Sequence, residues 1–377
     1  MGLPTTHYLA ARHSRVRQTL DDLTRDALVV TSASNVRYLT NHVGSAGILV
    51  LARDAVHLLV DFRYRESVAM RQASPAACPA LRVWEVPASY DEALLACLES
   101  IGAGAVGFEA GEVTVAQYEW WRKSAAGRQR PIVWHPTERS VERARVIKDA
   151  AEVAALRESA RRIEGVAAAA LGAARAGVRE RDVAGVIEAS MRAAGYERTA
   201  FDTIVASGPH SALPHHRAGE RLLAPGDLVV LDFGGVLDGY CCDLTRTVAI
   251  GPLSLEARRL YTAVYDAQQA AIAAVRPDVE TSAVDAAARQ VLEDRGLGAA
   301  FGHGTGHGLG LDVHEEPRIT RPRADVPSVP LAPGMVFTIE PGAYLAGFGG
   351  VRIEDDVLVT ETGCDVLTMV PRDLLTL

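Results

Sequence analysis

One motif occurs twice in this chain. Residues 223–234 read LAPGDLVVLDFG and residues 331–342 read LAPGMVFTIEPG. Aligned without gaps, Leu, Ala, Pro and Gly coincide at the start and apolar residues coincide through the middle. Asp232 then falls on Glu340, and Gly234 on Gly342. Each copy reads as a turn followed by a strand, so the repeat implies two related halves within one domain. The matched acidic position lies where a buried strand is ordinarily apolar, which marks it as a place for chemistry.

Each copy leads into a second strand. After Asp232, the pair Asp238-Gly239 is a type I′ turn signal. A two-residue loop there pairs Leu237 with Tyr240 and sets Asp232 opposite Thr245. Side chains alternate with period 2, so Asp243 and Thr245 share a face with Asp232. In the second copy, pairing Tyr344 with Gly350 sets Glu340 opposite Glu354, with Arg352 on the same face. Each half thus points two carboxylates to one side.

Four carboxylates on one surface repel one another unless protons or a cation neutralise them. Arg246 and Arg352 are the cations near them in sequence, too few to balance four. A metal is the better answer, and four carboxylates exceed the needs of one ion, so a two-metal site is expected. Mostly oxygen donors plus one imidazole suit Mn²⁺, Co²⁺, Fe²⁺ or Zn²⁺. The imidazole has an obvious source. Residues 302–317 read GHGTGHGLGLDVHEEP and hold His303, His307 and His314. Histidine is the commonest metal ligand, and glycine lets backbone pack closely against a ligand. The stretch is not a phosphate loop, because no Lys-Ser/Thr follows it. Nor is it a zinc helix, since the glycines forbid a regular helix between His303 and His307.

These motifs together resemble those of the metallopeptidases that include prolidase, aminopeptidase P and methionine aminopeptidase (family M24). The resemblance rests on LDFGG with Asp232, on Asp243, on GHGLGLDVHE with His307, on IEPG with Glu340 and on VRIEDD with Glu354. It spans residues 138–377. It implies a pita-bread α/β (α+β) fold with an internal pseudo-two-fold repeat. It also implies two divalent ions per subunit, manganese foremost, with zinc, cobalt and iron as alternatives. The resemblance makes Asp232, Asp243, His307, Glu340 and Glu354 the metal ligands. His215 becomes a substrate-contacting residue, His314 an oxyanion contact and Glu340 the general base. Arg352 orients a ligand carboxylate, and His303 stands beside the ligands without being one. His216 points outward by alternation. His210 sits where such enzymes often carry Asn, and its role is left open.

Residues 1–137 read as a smaller α/β domain in which strands alternate with helices. Through NVRYLT (35–40) and the segment around Asp61 they resemble the creatinase-like N-terminal domain of prolidases and aminopeptidase P. The stretch RQRPIVWHPTER around residues 130–139 carries two prolines and no periodicity, which marks the boundary. A long helix then opens at Asp149 with Glu152 three residues on, a capping-box pattern.

The implied reaction is hydrolysis of the Xaa–Pro bond at the amino end of a peptide. Xaa-Pro dipeptidase (prolidase) is favoured because the histidine-rich stretch is closer to bacterial prolidases. Xaa-Pro aminopeptidase is the alternative. A non-enzymatic pita-bread binding protein is the remote one, since such proteins have lost ligands that this chain keeps. Small peptides with proline in second position are the expected partners, and the resemblance implies a homodimer. A net charge of −8 excludes a broad nucleic-acid footprint. The apolar runs are too short to span a membrane, and residues 1–15 hold no apolar signal core. Five cysteines without metal-ligand spacing suit reduced thiols in the cytoplasm.

Overall fold

The computed structural model describes residues 3–128 and 130–377. It divides into two compact units, residues 1–145 and 146–377. The division comes later than the 137/138 boundary expected from the sequence. The reason is local. Arg145, at the end of the short helix Glu142–Arg145, donates to the Asn35 side-chain carbonyl, and the Asn35 amide donates to Glu109 and Glu142. That hydrogen-bonded cluster ties residues 142–145 to the first unit.

The first unit is a six-stranded mixed sheet. Its strand order is Leu81–Glu85, Val56–Val60, Ile48–Ala52, Ala27–Val30, Ala105–Glu109 and Val133–Thr137. The central strands are apolar throughout, as strands covered on both faces must be. The segment NVRYLT lies in the helix Ala33–Thr40. Trp121 and Trp134 stack on each other in the core of this unit, with ring centroids 5.1 Å apart.

The second unit has two halves of the same build. In the first half, Leu228–Leu237 pairs antiparallel with Tyr240–Ala249. Helices Ala150–Ala173 and Glu180–Ala193 cover it through Ile163, Val166, Val183 and Ile187 against Val229, Leu231 and Phe233. In the second half, Val336–Ile339 pairs with Asp355–Val359, and the ribbon Gly342–Leu345/Gly349–Arg352 extends it. Helices Leu255–Ala274 and Thr281–Asp294 cover this half through Leu260, Val264, Val284 and Leu292 against Phe337, Ile339, Val351 and Ile353. The first long helix begins with the expected capping box: Asp149 accepts from Glu152 N, and the Glu152 carboxylate accepts from Asp149 N.

The first hairpin has the register read from the sequence. Leu237 pairs with Tyr240, Thr245 pairs with Asp232, and Asp238 and Gly239 have φ of 49° and 82°, as a type I′ turn requires. In the second half Tyr344 pairs with Gly350 as expected. The ladder does not run continuously to Glu340 and Glu354, however. Pro341 has no N–H to donate. Glu340 N donates to Thr305 O at 2.7 Å and Glu354 N to Thr245 O at 3.1 Å. The numerical register is kept on both sides of the gap, while the backbone at both glutamates pairs with other segments. That switch joins the histidine-bearing strand and the first hairpin to the second half.

Candidate functional site

The seam between the halves opens into a cavity of about 1000 Å³ lined by Asp232, Asp243, His307, Glu340 and Glu354 together with His215, His303, His314 and Arg352. All five residues expected to hold metal therefore meet in one place. Each comes from a different stretch, and the local structure explains its direction. On Leu228–Leu237, Val229, Leu231 and Phe233 take the helix-covered face, so period-2 alternation turns Asp232 to the cavity. Asp243 follows on the partner strand. His307 sits at the centre of the short strand Gly306–Gly308. A Cβ on Gly306 would lie 1.8 Å from Thr338 O, and one on Gly308 2.1 Å from Glu316 O. Only glycine lets this strand press between its neighbours and bring His307 to the carboxylates.

The donor geometry has a consistent electrostatic signature. The His307 Nδ1–H donates to Gly308 O at 3.1 Å, which leaves Nε2 with its lone pair. That atom faces Glu340 Oε1 at 3.5 Å and Asp243 Oδ2 at 4.0 Å. Burial, helped by His314, drives the His307 pKa down to about 3, so the ring is neutral. A lone pair thus faces two carboxylate oxygens, an arrangement that a cation resolves. Ligand atoms of Asp243, His307 and Glu354 all lie within 4.8 Å of one another. Among the described residues, Asp232 Oδ1 and Asp243 Oδ1 are buried without a hydrogen-bond partner. Burial, with Glu354 and Asp232 close by, pushes the Asp243 carboxyl well above its usual range. Burial with Glu340 and Asp232 does the same to Glu354. Burial raises Glu340 to about 7, against the pull of Arg352. Oxygen-rich donors with one imidazole fit a hard or borderline divalent ion.

The remaining expected residues surround this set. Arg352 donates to Asp232 Oδ2 and, at 2.8 Å, to the Tyr344 hydroxyl. His303 touches none of the five; it pairs with the Tyr344 hydroxyl at 3.0 Å and with Gly304 O at 2.8 Å. The His314 ring meets the His307 ring edge-on at 4.4 Å. His215 is exposed and lines the same cavity.

Two expectations need correction. Arg246 does not balance the cavity carboxylates: its guanidinium donates to Asp355 Oδ1 and to the carbonyls of Glu354, Val370 and Pro371. Alternation explains this, since Arg246 follows Thr245 and so points to the other face, as Asp355 does after Glu354. His216 does not point outward. It is half-buried, and its Nε2 donates to Glu180 Oε2 at 2.9 Å. Its segment, residues 213–219, is irregular, so strand alternation does not apply to it.

Thr245, placed on the shared face by alternation but given no role there, and Tyr344 and Asp356, which were not anticipated, also belong to the site. Thr245 Oγ1 donates to Glu354 Oε2 at 2.6 Å, and Asp356 Oδ2 accepts from Asp243 N at 3.1 Å. Tyr344 could have been found: it lies two residues from Gly342, the partner of Arg352, so it shares the face of Arg352. Asp356 could not, because its partner lies on the other half.

Comparison with known proteins matches this geometry. Residues 154–361 match the model of metallopeptidase family M24, and residues 12–147 match the creatinase/prolidase N-terminal domain. The chain is 38% identical over 363 residues to the uncharacterized peptidase YqhT of Bacillus subtilis, covering 96% of this chain and 99% of that one. It is 42% identical over 231 residues to an Xaa-Pro dipeptidase of Pyrococcus furiosus, covering 61% of this chain and 65% of that one. The structure superposes on an Xaa-Pro dipeptidase from Bacillus anthracis with a TM-score of 0.91 and 33% identity, covering 98% of this chain and all of that one. The chain belongs to metallopeptidase family M24, an α/β pita-bread metallopeptidase with a creatinase/prolidase-type N-terminal unit.

Proposed function

We propose that this peptidase is an Xaa-Pro dipeptidase with two divalent ions held by Asp232, Asp243, His307, Glu340 and Glu354. The observation that carries the metal assignment is the unprotonated His307 Nε2 facing buried carboxylate oxygens, two of them in the set without partners. Manganese is the first candidate, with zinc, cobalt and iron after it. When bound, such ions supply Lewis acidity: they lower the pKa of water toward 7 and polarise a carbonyl.

The chain's own residues then do the following. Glu340 takes a proton from the attacking water at its carboxylate and passes it to the leaving proline nitrogen. His314 donates to the oxyanion that develops on the scissile carbonyl. His215, which also lines the cavity, holds the substrate backbone. Arg352 fixes the Asp232 carboxylate, and Tyr344 fixes Arg352 in turn. His303 holds the Tyr344 hydroxyl from its other side.

The Xaa–Pro substrate is supported by the names of the relatives and by this chain's creatinase/prolidase-type N-terminal unit. The proposed setting is the cytoplasm, which suits five cysteines that are all unpaired. No helix among the described residues is long and apolar enough to cross a membrane. A homodimer follows from the resemblance and is checked by light scattering on the purified protein. The deciding experiment offers Ala-Pro and Ala-Pro-Ala in parallel. Cleavage of the dipeptide alone supports the dipeptidase. Release of alanine from the longer peptide makes the protein an Xaa-Pro aminopeptidase instead.

A further inference from the structure

A second cluster of metal-ligating side chains lies outside the carboxylate centre. Glu180 opens the helix Glu180–Ala193, and its side chain is fully buried. His210 Nδ1 donates to its Oε1 at 3.0 Å, and His216 Nε2 donates to its Oε2 at 2.9 Å. The two imidazole centroids are 4.3 Å apart. Ligand atoms of all three residues lie within 4.8 Å of one another.

Glu180 has donors besides the histidines. Its Oε1 already accepts from Ser207 N at 2.9 Å and Ser207 Oγ at 2.7 Å, and Oε2 accepts from Gly219 N at 3.2 Å. Against burial, which pushes its pKa up, the bonds from Ser207, His216 and His210 together hold the Glu180 carboxyl below its usual value. Two imidazoles converging on one buried carboxylate form a preassembled N₂O donor set. From this geometry we infer that Glu180, His210 and His216 form a further cation site, distinct from the carboxylate centre, for a borderline divalent ion, zinc foremost.

The chemistry fits in detail. With metal–ligand bonds of about 2.0–2.2 Å, neighbouring ligands of a tetrahedral zinc are roughly 3.3 Å apart. The observed contacts are a few tenths of an ångström shorter, so small side-chain shifts admit the ion. Each imidazole offers a ring-nitrogen lone pair to the ion once the proton on that nitrogen has moved to the other one. His216 lines the cavity, which leaves a fourth position open to water. Two imidazoles with one carboxylate select zinc over manganese, whereas the oxygen-rich centre has the opposite bias. The ion would clamp the start of one helix to both ends of the segment 210–216, which carries Pro214 and the cavity residue His215.

The test counts metal. The full-length protein is stripped with a chelator and dialysed against Zn²⁺. Bound zinc per subunit is then measured for the wild type, the double variant His210→Asn/His216→Asn and the single variant His216→Asn, each checked for native circular dichroism. The wild type should retain one equivalent more than either variant. With Co²⁺ in place of Zn²⁺, the same difference should appear as a loss of visible absorption from a tetrahedral cobalt centre. Equal counts and equal cobalt spectra in folded variants would overturn the proposal and leave a hydrogen-bonded histidine pair. Because the count is read as a difference, it holds whether the carboxylate centre takes one ion or two.

Discussion

Single residues in this protein are set by what they face. Glu340 faces Arg352, Asp232 and the neutral His307, in a wall where burial alone would raise any carboxyl. Replacing it with Gln keeps the shape and removes the proton acceptor. Turnover of Ala-Pro should fall by roughly 10²–10⁴-fold, with the circular dichroism unchanged; near-wild-type turnover would remove Glu340 from the role of base. His13 shows the structural counterpart. It is buried, its Nε2 donates to Leu39 O at 2.6 Å, and burial holds its pKa down to about 4. Between about pH 6.5 and 4 the unfolded chain binds a proton at this position that the folded chain refuses. Stability therefore falls as pH is lowered through that window, by an amount on the order of 3 kcal/mol from this residue. Denaturation midpoints at pH 7 and pH 4.5 should differ less in His13→Gln than in the wild type.

Elements supply the directions that residues alone lack. The strand Gly306–Gly308 carries the imidazole into the centre only because its flanking glycines allow backbone to press on backbone. Gly306→Ala would place a methyl against Thr338 O, a group held in the sheet that cannot swing aside. The strand has to shift, at a cost of about 1–3 kcal/mol or more. The larger effect should be on metal: after dialysis the variant should retain less bound manganese than the wild type at the same free concentration. Unchanged retention would mean that His307 is not held by this contact. The break in the second ladder is an equally local device. Pro341 and the redirected amides of Glu340 and Glu354 trade ladder hydrogen bonds for bonds to Thr305 and Thr245. Strand ends become the seam where both halves meet.

At the scale of the molecule, two helix-backed hairpins each bring carboxylates to a shared cavity, and the assembly accumulates negative charge that burial makes costly. Without an ion, Asp243, Glu354 and Glu340 hold their protons to a higher pH than they would in the unfolded chain. Their folded-state pKa values are raised, so the metal-free protein loses stability from these groups as pH rises. A divalent ion should therefore raise the melting temperature more at pH 8 than at pH 5.5. Chelation should abolish activity, and Mn²⁺ should restore it. An ion-induced shift equal at both pH values would show that the carboxylates are balanced by something other than metal.

Much of the site was legible in the sequence because its logic is local. The repeat aligned Asp232 with Glu340, Asp238-Gly239 set the first register, and period 2 set the shared face of Asp232, Asp243 and Thr245. The repeat needs only that its two copies be compared, and the other two signals depend on strand geometry and turn chemistry within about twenty residues. Tyr344 could have been found by the same alternation. Tertiary structure decided the rest. It turned Arg246 to Asp355, set Asp356 behind Asp243, drew His216 back to Glu180 and kept residues 142–145 with the first unit. Each of these depends on which distant segments meet. A partner far along the chain leaves no period in the sequence, and only folding brings its charge or hydrogen bond within reach.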